Sequence, residues 1–239
     1  MPADYGYAWR TVRLYCPAAP TFLAREWVNA AWKQLLAARR WGFMRAEVAL
    51  PIAGGDTAIV VPLDFASFKV VVDQARQVRL PFTYTIDELL AADPSLSATG
   101  PPNALAATSP STAPLTLGQA RYRLYPTPAS ALTLTAVYHR QGDRLTDGDV
   151  FTGVLADGGE VLVAGALAQA ALWPGTGEKP NPYFNAGLAQ AKAAEFKYGV
   201  QMLSLRDDEQ YPDDLWDSWP ETCHGAVAAD PRTTDACAC

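Results

Sequence analysis

From Val161 to Thr176 the chain carries no charge, and the middle of that run is built of Ala, Gly and Leu. A helix apolar on every side is buried on every side, so the run predicts a packed helix, stopped by Pro174 and Gly175. Asn181-Pro182 predicts the start of a second helix, with Asn as N-cap and Pro in the first turn, where its missing N–H costs nothing. That helix carries one apolar stripe: Phe184, Leu188, Ala191, Ala194, Tyr198, Met202 and Leu205, spaced by three or four. Residues 160–206 therefore read as a long helical hairpin on which the rest of the chain packs.

Upstream, the periodicity changes several times. Residues 8–19 read as a short extended segment. Pro20 or Thr21 opens a helix to about Trp41, with Phe22, Trp27, Val28, Ala31, Leu35 and Leu36 inside and Arg25, Lys33, Arg39 and Arg40 outside. Residues 42–84 are rich in Val, Ile and Phe and broken by Gly54-Gly55 and Pro62, which predicts short strands, with an edge or bulge at Pro62. Thr85 caps a short helix over 86–92, ended by Asp93-Pro94. Residues 95–116 are dominated by Pro, Ser, Thr and Ala and read as a long surface loop. Residues 119–125 and 131–140 alternate and predict a hairpin turning at Pro126-Thr127-Pro128, with Leu132, Leu134, Ala136 and Tyr138 on one face. The fold class is α+β: a helical body (1–41 and 141–206), an inserted antiparallel β-rich domain (42–140) with the 95–116 loop, and an acidic tail (207–239).

Charge sharpens this division. The 239-residue chain has a net charge of −6, which argues against bulk attraction to nucleic acid or an anionic membrane. Residues 1–50 nevertheless hold seven basic and three acidic groups, whereas 207–239 hold nine acidic groups and only Arg232. A basic start and an acidic end predict contact between them, within one chain or between copies. Arg25, Lys33, Arg39 and Arg40 form a candidate inter-subunit basic face. Tyr211, Leu215, Trp216 and Trp219 lie in the acidic, proline-bounded end, and tryptophans are costly to leave in water. They are the candidate anchors of that tail in a partner.

Chemistry for catalysis is missing. His139 reads as a strand-end surface residue and His224 lies in the tail, so no histidine-based triad is within reach. The Gly175–Lys179 segment lacks the Ser/Thr of a phosphate loop, and Pro180 follows the lysine. Cys223, His224, Cys237 and Cys239 lack a paired knuckle, and Cys16 stands alone, so free thiols are expected rather than a metal site or a disulfide framework. The 161–173 run is too short to span a bilayer, and residues 1–10 lack the pattern of a secretory signal. No enzyme activity, cofactor, metal or membrane partner is expected.

The order of weak motifs is itself informative. The REWVNAAW segment in helix 20–41 is followed by Ile86-Asp-Glu-Leu, Asp93-Pro94 and Thr99-Gly100-Pro101. Then come Tyr122-Arg-Leu-Tyr-Pro126-Thr-Pro128, Leu172-Trp-Pro-Gly and Asn181-Pro182-Tyr183-Phe184. Over most of residues 9–212 this succession resembles the head-to-tail adaptors of tailed bacteriophages, the head–tail connector or tail tubular proteins. The resemblance implies a structural virion protein assembled in the host cytoplasm. It would form a homo-oligomeric ring of about twelve copies in the neck, contact the portal and a downstream tail or neck protein, and surround the passage of double-stranded DNA. A stopper or tail terminator, and a monomeric ligand-binding β-module, are the alternatives.

Overall fold

The computed structural model describes residues 4–108 and 120–212. Within these, residues 4–45 with 139–212 form one compact unit, and residues 46–138 form another. The chain is α+β, as expected.

The first unit is helical. Helix α1 (Tyr5–Tyr15) is capped by Asp4, whose side chain accepts the Tyr7 N–H. It buries Tyr5, Ala8 and Val12, a helical spacing, so the expected extended segment is instead a helix. The β-favouring Trp, Val and Tyr there are overruled by a good N-cap and by tertiary packing. Helix α2 (Thr21–Ala38) buries Trp27, Val28, Ala31 and Leu35 as expected, but Phe22 is exposed. Helix α3 (Ile86–Ala92) belongs to the other unit. Helix α4 (Gly158–Ala170) is buried on nearly all sides, as its composition predicts. Helix α5 (Ala186–Gln210) starts at Asn185, whose side chain accepts the Leu188 N–H at 3.0 Å, and not at Asn181. It ends four residues beyond the predicted boundary.

Two features bring α4 against its neighbours. A Cβ on Gly165 would sit 2.8 Å from both Ala31 and Phe196, and one on Gly199 would sit 2.7 Å from Val161. The small residues of α4 thus serve close helix contacts within the chain. Asn181, buried between the hairpin helices, donates to the Ala170 and Trp173 carbonyls at 2.9 and 2.7 Å and accepts from Tyr183 N–H and the Cys16 thiol. It ties α1 to the α4–α5 connection. Burial pushes the Cys16 thiol up, which keeps it protonated as the donor in that bond.

The second unit is a two-layer β structure. Strands β1 (Arg45–Ile52), β3 (Phe65–Asp73), β4 (Val78–Arg79) and β8 (Leu132–Arg140) form one sheet in the order β1-β8-β3-β4. Strands β2 (Ala58–Val60), β5 (Tyr84–Thr85), β6 (Ala104–Thr108) and β7 (Arg121–Tyr125) form the other, in the order β2-β7-β6-β5. Leu50, Phe68, Val71 and Leu134 from the first share a core with Ile59, Leu105 and Leu124 from the second. Phe65, Phe68 and Tyr122 meet within it edge-on or tilted, at centroid distances of 4.6 to 5.9 Å. The edge position of β2, just before Pro62, agrees with the sequence. Two expectations do not hold. The predicted hairpin of 119–125 with 131–140 is absent, because β7 and β8 lie in different sheets and the Pro126–Pro128 segment carries the chain between them. The predicted loop 95–116 contains β6, whose Ala104, Leu105 and Ala106 are buried. Low complexity hid a strand made mainly of alanine. His139, expected on the surface, is buried.

Candidate assembly surfaces

No three of His, Cys, Asp and Glu come together as a metal set among the described residues. No described helix is long and apolar enough to cross a membrane. What the helical unit does present is a fixed helix end, a two-faced helix and a groove.

The fixed end is at the C-terminus of α5. Three acids in a row there oppose the helix dipole, and the structure shows what offsets this. Asp207 turns inward and accepts the backbone N–H groups of Gly42 (2.6 Å) and Phe43 (3.2 Å), the first residues of a 3₁₀ turn at Gly42–Met44. Arg39 grips Asp208 through two hydrogen bonds of 2.9 and 2.5 Å and stands 3.9 Å from Asp207. The predicted attraction between basic start and acidic end is thus satisfied within the chain at this point. Tyr211 packs on the helical core with its Cβ against Gly42, where any side chain would overlap it. Tyr211, expected in a docking tail, is half-buried in its own unit.

The predicted basic face divides in two. Arg25 pairs with Asp147 and lies over the Trp9 ring at 4.9 Å, and Arg39 is held as described. Lys33 and Arg40 are exposed and make no ion pair among the described residues. Leu215, Trp216 and Trp219, like Cys223, His224, Cys237 and Cys239, lie outside the described residues.

Helix α5 carries two apolar faces. Ala189, Phe196, Leu203 and Asp207 point into the unit. Ala191, Tyr198 and Leu205 repeat the same seven-residue spacing two positions later, about 200° around a helix of 3.6 residues per turn, and they face solvent with Met202 and Ala194. Tyr198 is 64% exposed and Leu205 57%. The stripe that dominates the sequence is therefore the solvent face, and the buried face consists of residues outside that stripe. Phe196 and Leu203 were the signal, at a spacing of seven.

On another side of the same hairpin lies a groove of about 430 Å³ between α2, α4 and α5. Ala168, Leu172, Ala189, Ala193 and Phe196 line it together with Gln34, Gln169 and Gln190. The amide Nε2 of Gln169 is buried and has no hydrogen-bond partner among the described residues, a state that costs about 1–3 kcal/mol.

The exposed face of α5 and the groove beside it are surfaces that another chain can cover. The defining match is to a family model: residues 5–216 match the SU10 adaptor protein family, and the chain belongs to that family of phage head–tail adaptors. It is a phage structural adaptor protein and a component of the virion neck. No curated protein matches the chain.

Proposed function

We propose that this chain assembles into a ring of about twelve copies that joins the portal to the tail and surrounds the DNA channel. The observation that carries the reading is the adaptor-family match over residues 5–216. It favours the adaptor position over a stopper or tail terminator. The second apolar face of α5 supports it from physics, since a helix apolar on two opposite sides calls for two partners. The net charge of −6 suits a channel through which DNA slides without sticking. The mass of the purified protein in solution, with negative-stain images of its mixture with portal, tests the proposal. A ring that caps the portal is expected; a strict monomer indifferent to portal would sink it.

Docking to the portal is assigned to residues 213–239, with Leu215, Trp216 and Trp219 as anchors. Their support is the apolar area that two tryptophans offer in an otherwise acidic segment. The informative truncation removes residues after Pro212, because a cut at 207 also deletes Asp207 and Tyr211 from the helical unit. Co-sedimentation with portal is expected to be lost while the thermal unfolding of the remainder is unchanged. Full docking by the truncated chain would dispose of the anchor role.

A further inference from the structure

We infer that the exposed ridge of α5 (Tyr198, Met202, Leu205) on one copy seats in the α2–α4–α5 groove of the next, making a head-to-tail contact between copies. This rests on the ring reading above and names the surfaces that build it.

Ridge and groove lie on different sides of the same hairpin, so no copy can fill its own groove with its own ridge. Contact between two unlike patches of identical chains is heterologous, and it propagates until a rotation closes it. A ridge paired with a second ridge gives only a dimer. The two patches match in kind. The ridge presents one aromatic and two flexible apolar side chains among alanines, and the groove is lined by alanines with Leu172 and Phe196. Charge agrees as well. Lys33 precedes the groove residue Gln34 on α2, and Glu209 continues the line of the ridge on α5. Both are exposed without an ion pair among the described residues.

The test uses the full chain with two surface substitutions, Tyr198→Asp on the ridge and Leu172→Asp at the groove, where both residues are largely exposed. Unchanged thermal unfolding of monomers confirms that each variant folds. Sedimentation velocity should show each variant alone at monomer mass, with association weakened at least a hundredfold. An equimolar mixture should give a heterodimer and nothing larger, because one intact ridge and one intact groove remain between them. Loss of assembly with Tyr198→Asp but not Leu172→Asp overturns the inference in favour of a ridge-to-ridge contact. Rings that persist in both variants overturn it while leaving the ring itself standing. Wild-type protein that stays monomeric with portal present instead sinks the reading on which it rests.

Discussion

At the scale of single residues, Asp207 does the most with the least sequence signal. Its carboxylate lies at the mouth of a 3₁₀ turn and accepts the Gly42 and Phe43 N–H groups, whereas the Met44 N–H reaches the Trp41 carbonyl. Asp207→Ala leaves those buried donors unpaired and is expected to cost about 2–3 kcal/mol of stability, measured by urea unfolding. A loss within about 0.5 kcal/mol, the ordinary range for surface changes, would show that solvent replaces the carboxylate. Gly42→Ala drives a methyl into the Tyr211 Cβ and is expected to cost about 1–3 kcal/mol by overpacking. Neither partner is legible in the sequence, because Asp207 and Gly42 are 165 positions apart and nothing local announces a long-range cap. In the β unit the carboxyls of Asp73, Glu88 and Asp93 are all held below their usual range, and of these Asp73 is the buried one. Burial pushes its carboxyl up, but hydrogen bonds from the Arg76 side chain and from backbone N–H groups of Arg76 and Ala75 outweigh this and hold it below the usual range. A carboxyl depressed in the folded state contributes stability above its unfolded pKa and loses it as pH falls through the lower folded value. Acid unfolding below about pH 4 is therefore expected to be shallower in Asp73→Asn. An unchanged acid limb would assign it to other carboxylates.

The elements show where pattern reading holds and where it fails. Helix α4 was legible because all-round apolarity has one common cause, burial. Helix α3 was legible from Thr85, whose capping box with Glu88 is present as a local motif. β6 was not legible, since alanine is a poor strand former and its burial comes from the sheet around it. α5 misleads for a different reason. Hydrophobic periodicity reports that a face is apolar, not what covers it, and here the larger side chains are on the face that its own unit leaves open. The contacts of Gly165 give this scale its prediction. Gly165→Leu forces α4 away from Ala31 and Phe196, at an expected cost of about 3 kcal/mol or more, since neither neighbour is the end of a flexible chain. Thermal unfolding measures it, and a shift of only a few degrees would mean that the helices re-pack without strain.

For the whole molecule, the α+β class and the adaptor family were both within reach of the sequence, the first from changing periodicity and the second from the order of its motifs. The strand pairing was not, because β7 and β8 are neighbours in sequence and belong to different sheets. The candidate assembly surfaces were only half visible. Charge pointed to Arg25 and Arg39, which the chain uses for itself, while Lys33 and Arg40 remain outside. The open face of α5 also bears on how the protein behaves before it is part of anything. A lone copy keeps Tyr198, Met202 and Leu205 in water, and a neighbour that covered them, as in the contact proposed above, would bind only the folded form. Mass action would then make apparent stability a function of concentration: each dilution is expected to lower the melting temperature, so that the chain is least durable alone and most durable where copies crowd together.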